Sequence, residues 1–313
     1  MITNTEIHPS AGIKVSQLEG HGFGIAAKAL LNVNEIRYVD SNGEGAADQP
    51  SAGKRPDKGA FATVAYAVTQ VPKDTLLVVR ENHTENIASD AWAWGAEGIK
   101  VIGLGTGDER PTFTFITATA AKINLDEANC GIYNLRLING IASQTAMVLL
   151  SDAGIQVIGC FLQQGDATTQ AGYGILGNSA YDNAKVIGNE IVTTTDTGAT
   201  AGISMSGTPN NVEVADNFIY GDFSSACIHN PTGNVLTLLR IHHNVLTNLQ
   251  AGDHAIELVS ACTGVIHHNI VNCSLSAVAD PQGIDCGACL CNENYGSDAT
   301  DQSGVLTPAV DAA

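Results

Sequence analysis

The chain has 313 residues, 44% hydrophobic but only 5% aromatic, and its 14 basic and 32 acidic side chains give a net charge of −18. That balance argues against nucleic acid and anionic membrane surfaces as partners, and no run approaches the roughly 18 apolar residues of a spanning helix. An interior poor in rings must be filled by Val, Ile, Leu, Ala and Cys, which suits a thin core of stacked small side chains.

Residues 1–36 fall outside any repeat and read as an arm or attachment segment. Gly20, Gly22 and Gly24 imitate a nucleotide-binding loop, but their spacing fits neither GxGxxG nor a P-loop. The opening MITNTEIHPS has neither the basic region nor the apolar stretch of a secretory signal. The expectation is a chain made in a reducing compartment, with its eight cysteines as free thiols. From Arg37 to Asp40 a strand leads into a long Gly/Ala/Pro loop. Its DSNGEG start offers Asp40, Asn42 and Glu44 as oxygen donors for Ca²⁺, without the spacing or terminal Glu of an EF-hand. A simple Gly/Asn/Asp turn is the competing reading. Phe61, Val64, Ala65 and Val68 then recur at helical spacing, predicting a short capping helix near 60–70 that Pro72 and Lys73 end. Leu76–Val79 is a β run.

Between Val157 and Tyr295 one phrase returns as VIGCFL, VIGNEI, VADNFI, IHHNVL, IHHNIV and CNENYG. Its shared slot holds Cys160, Asn189, Asn217, Asn244, Asn269 and Asn294, at steps of 29, 28, 27, 25 and 25 residues. A second phrase has apolar anchors at Val148, Ile175, Ile203, Ile228, Ile256 and Ile284, at steps of 27, 28, 25, 28 and 28. Two phrases advancing in register at this period are a solenoid signature. Strand-like, Gly- and Asn-rich coils predict an all-β, single-stranded parallel β-helix over residues 37–295, with a C-terminal tail at 296–313. About eight to nine coils fit, a rod on the order of 40 Å at the usual strand spacing.

The opening strand, the helix, the phrase carrying Glu81, Asn82, Thr84, Glu85, Asn86 and Ile87, and the later GIYNLRLING together resemble pectin-lyase-like right-handed β-helix proteins. The resemblance covers roughly residues 37–300. It implies a right-handed coil and leaves activity open, because that superfamily holds lyases, hydrolases, esterases and catalytically inert viral spikes. Pectate-lyase relatives use Asp-bound Ca²⁺ with an Arg base, but Arg110, Arg136 and Arg240 do not fall beside clustered Asp here. Nor does a Gly-His segment lie among carboxylates, as polygalacturonase-like enzymes require. No catalytic set carries over.

Alternation sorts the coils into faces. Val157, Val186, Val214, Ile241 and Ile266 form one inward column; Ile155, Ala184, Val212 and Leu239 form another. Gly103, Gly159, Gly188, Asp216, His243, His268 and Glu293, just before the slot, read as the bend of each coil. Cys286, Cys289 and Cys291 have half the spacing of a zinc site, but they extend inward columns and read as small core hydrophobes, with metal or a disulfide as alternatives. His242–His243 and His267–His268 stack one coil apart, as a surface ladder or as a metal site.

One outward column remains: Asn124, Leu149, Leu176, Ser204, His229, Glu257 and Asp285. Glu257 and Asp285, with His229 beside them, are the catalytic candidates, because two carboxylates about 5 Å apart suit a retaining glycosidase. Leu149 and Leu176 are the expected protein interface. The sequence therefore leads to a bacteriophage virion protein: a decoration protein, head fibre or tail appendage, located in the virion and packed as a homotrimer. It would attach to other capsid or tail proteins through its arm and contact a host-surface glycan. The alternative is a polysaccharide-degrading enzyme, a tailspike depolymerase or a carbohydrate lyase or hydrolase.

Overall fold

The computed structural model describes residues 33–56, 58–89, 92–166, 168–193, 198–251, 253–259, 261–274, 283–298 and 304–306. Residues 1–32 of the arm expected over 1–36 and most of the tail lie outside these residues, as do Gly20, Gly22 and Gly24.

Each coil lays one short strand in each of three parallel sheets. Lys185–Ile187, Glu190–Thr193 and Ala201–Met205 are one such turn. Strand-by-strand stacking makes two ten-stranded sheets and one seven-stranded sheet among the described residues. The molecule is a parallel β-helix with seven complete turns among the described residues, fewer than the eight to nine coils expected. The difference lies at the ends. The first coil, with strands Thr75–Val79 and Thr84–Ile87, supplies no strand to the third sheet and instead buries Trp92 and Trp94. The last, with Leu290–Asn292 and Asn294–Asp298, pairs antiparallel with Gly304–Leu306.

The inward columns are as the alternation requires. Val157 pairs with Ile132 and Val186, Val214 with Ile241, and all are buried. Strands of two to seven residues offer few side chains each, so the stacking of one coil's apolar residues on the next supplies the burial that holds the rod together.

At the N-terminal end the helix Val64–Gln70 buries Val64, Ala67 and Val68 over the open coil. Its start is heavily capped. Thr63 Oγ1 accepts from Tyr66 N–H, and the Glu85 carboxylate accepts from the N–H groups of Val64 (2.7 Å) and Ala65 (3.1 Å). Buried His83 accepts Ser41 N–H on Nδ1 and turns Nε2 to Glu85 at 3.3 Å, locking the capping carboxylate.

The bend column adopts the left-handed region at Asn134, Gly159, Gly188, Asp216, His243, His268 and Glu293, with φ between 52° and 65°. Gly103 is the exception among the expected bends; that coil turns at Gly105 and Gly107 instead. Immediately past the bends from Gly188 onward the slot holds a buried Asn, and these side chains bond to one another. Asn189 Nδ2 donates to Asn217 Oδ1 at 3.0 Å, and Asn217 Nδ2 to Asn244 Oδ1 at 2.9 Å. Each Oδ1 also accepts the backbone N–H of the preceding rung's Asn, so the ladder satisfies the groups that the bend removes from the sheets. Cys160 begins it, giving its own N–H to Asn189 Oδ1 at 3.0 Å.

All eight cysteines are free thiols, seven buried and Cys291 half-buried. Burial pushes the Cys130 and Cys289 thiols up to about 12, which makes them inert core side chains.

Candidate functional site

The outward column of the third sheet is in register from end to end. Asn124 pairs with Leu149, Leu149 with Leu176, Leu176 with Ser204, Ser204 with His229, His229 with Glu257, and Glu257 with Asp285. At its upper end His229 Nε2 lies 3.7 Å from Glu257 Oε2. These residues, with Asn230, Thr232 and Asp285, line an open cleft of about 300 Å³. Burial raises the Glu257 carboxyl above its ordinary range; His254 works against the shift and Asp285 adds to it. Burial lowers His229, whose Nδ1 is enclosed without a hydrogen-bond partner. Asp285 is tied down by accepting Gly287 N–H at 3.1 Å. The arrangement places a carboxyl biased towards its protonated form one rung from a second carboxylate, the pairing that general acid–base work on a glycosidic oxygen needs.

Lower on the same column Leu149 and Leu176 are half-buried, and Ser204 is fully buried. A second concavity, about 350 Å³, lies at this level of the rod and is lined by Ser143, Gln144, Thr168 and Gln170 among others.

Asp40, Asn42 and Glu44 do not converge. Asp40 Oδ1 accepts Asn42 N–H at 2.9 Å, Asn42 donates its side chain to Asn82 O at 3.3 Å, and Glu44 meets Lys58 at 3.0 Å in solvent. This is the geometry of an Asx turn. Among the described residues no group of three or more His, Cys, Asp or Glu side chains is placed to hold a metal ion.

The histidine pairs form a two-by-two array. His242 stacks on His267, and His243 on His268, each with ring centroids 5.1 Å apart. Within each rung the two Nδ1 atoms face one another, at 2.9 Å for His242 and His243 and 2.7 Å for His267 and His268. Behind them Glu213 reaches His242 Nε2 at 3.3 Å, and Glu293 reaches His268 Nε2 at 2.9 Å.

Of the eight exposed large apolar side chains among the described residues, Leu238 and Leu290 lie at the first sheet and the other six stand on the second, a face that the sequence reading passed over. Phe218 pairs with Val245, Val245 with Ile270 and Ile270 with Tyr295, and they are 43%, 38%, 54% and 50% exposed. Tyr220 flanks them, and Thr247 and Asn272 continue its column without a charge. Lower down, Phe161 lies under the Arg136 guanidinium at 5.6 Å. The signal was legible: the residue after the slot runs Phe161, Glu190, Phe218, Val245, Ile270, Tyr295.

No family model and no curated protein matches the sequence. Similar solved structures include the pectin methylesterase of Aspergillus niger, 14% identical over 87% of this chain and 91% of that one, with a TM-score of 0.41. A rhamnogalacturonan lyase is 11% identical over 88% and 90% of the two chains, with a TM-score of 0.37. The ORF18 protein of Geobacillus virus E2 is 10% identical over 91% of this chain and 65% of that one, also at 0.37.

Proposed function

We propose that this chain is a structural surface protein of a bacteriophage particle, with its β-helices packed side by side as a homotrimer. The observation that carries the reading is the uncharged ladder Phe218–Val245–Ile270–Tyr295 on a chain of net charge −18. Exposed apolar side chains in register on consecutive rungs mark a face for protein contact. A copy lying parallel presents the same ladder at the same rung spacing, so every rung can meet its equivalent. Decoration of a capsid, a head fibre and a tail appendage are roles that such a rod suits, with residues 1–36 as attachment to other virion proteins and a host glycan as a further contact. Mass spectrometry of purified particles tests this. The chain is expected at a fixed copy number that is a multiple of three; a chain found only free in the lysate rules the proposal out.

The Glu257 cleft favours a second reading, a polysaccharide-degrading enzyme. Glu257 would protonate the leaving oxygen, Asp285 would act from the adjacent rung, and His229 would steady Glu257. Glycan cleavage that disappears in Glu257→Gln supports it, and no cleavage of any host-surface glycan removes it.

A further inference from the structure

The two-by-two histidine array is not used by either reading. We propose that each of its rungs chelates a divalent transition ion, Cu²⁺ or Ni²⁺ in preference to Zn²⁺, through the paired Nδ1 atoms of His242 and His243 or of His267 and His268.

Proton placement is the first argument. A ring whose Nε2 faces a carboxylate keeps its proton there and leaves Nδ1 as a lone pair, the arrangement by which outer carboxylates orient metal-binding histidines. Glu213 does this for His242, and Glu293 for His268. Each of these lone pairs meets a second Nδ1 at 2.9 or 2.7 Å. In the metal-free protein one proton is shared across each pair. An incoming ion takes its place, and that proton moves to Nε2 of the other ring, so nothing is left unbalanced.

Geometry selects the ion. With metal–nitrogen bonds of about 2.0–2.1 Å, these separations give a bite of roughly 80–90°. That is the cis angle of square-planar or octahedral coordination rather than of a tetrahedron. The backbone is fixed at φ 56° and 55° for His243 and His268, while their exposed rings can turn about χ2 to aim both lone pairs at one ion. Two nitrogens per rung leave the other positions to water, so no cage of three protein donors is needed.

The test uses the untagged full chain, titrated with Cu²⁺ and followed by calorimetry and by the nitrogen hyperfine pattern in its electron paramagnetic resonance spectrum. Saturable binding with imidazole nitrogen couplings is expected. His243→Asn with His268→Asn should weaken it by about tenfold or more, since Asn tolerates the left-handed bend while lacking the ring. His242→Gln with His267→Gln, placed in strands, gives the same loss if the first pair fails to fold. No saturable binding, or binding unchanged in a folded double variant, overturns the proposal.

Discussion

Asn244 donates its side-chain amide to Asn269 Oδ1 at 2.9 Å, across 25 residues of sequence and one rung of the rod. The same amide also reaches Val214 O and His242 O at 3.0 Å, and its Oδ1 accepts from both nitrogens of Asn217. One buried side chain thus joins three coils.

Asn244→Ala therefore leaves several buried polar groups unpartnered. At about 1–3 kcal/mol for an orphaned buried group, the expected loss is roughly 3 kcal/mol, read from the midpoint of urea unfolding. Cys160→Asn should act in the other direction by about 1 kcal/mol, because an amide there donates more strongly than the thiol to Ile132 O and to Ile158 O, the second of which also accepts Asn134 N–H. A loss below about 0.5 kcal/mol for Asn244→Ala would mean that the ladder is an ornament of the fold.

The bend at His243 gives a second stability prediction. With φ at 56°, a β-branched residue is strained where Asn is not. His243→Val should be less stable than His243→Asn by about 1–2 kcal/mol, measured by the same unfolding curve.

These sites show how far the sequence carried. The spacing of the slot revealed the solenoid, and the inward columns from Val157 to Ile266 followed from alternation, because a parallel stack repeats its register at every rung. The column from Asn124 to Asp285 was legible for the same reason. Coil number was overcounted because the end coils keep the apolar phrase without a third-sheet strand. Gly103 misled because glycine permits a bend without requiring one. Amide-to-amide contact along the Asn slot depends on side-chain direction, which spacing does not encode. The second-sheet ladder stood outside the expectation because the interface was placed on the third-sheet column at Leu149 and Leu176, whereas Phe218, Val245, Ile270 and Tyr295 directly follow the slot.

Burial at the cleft sets a pH dependence. His229 is held below its ordinary value, so the folded protein favours the neutral ring. The stability this brings is present above the unfolded value of about 6.5 and is lost as pH falls through the lower folded value. Wild-type stability should therefore fall more steeply than that of His229→Gln on acidification below about pH 6.5. Glu257, raised by burial, gives the opposite slope at lower pH, since its protonated form is the favoured one. Parallel curves for wild type and His229→Gln would contradict the burial of an unprotonated ring.

The exposed ladder predicts a separation of assembly from folding. Ile270 is 54% exposed, so Ile270→Glu should leave the unfolding midpoint of the isolated chain within about 0.5 kcal/mol of wild type. Placed at a contact between copies, the same carboxylates meet one another and disperse the assembly.

Sedimentation equilibrium on wild type and Ile270→Glu tests side-by-side packing most directly. The account predicts a wild-type particle of three times 32.4 kDa and a variant of 32.4 kDa. A wild-type chain that stays at 32.4 kDa at every concentration would contradict it.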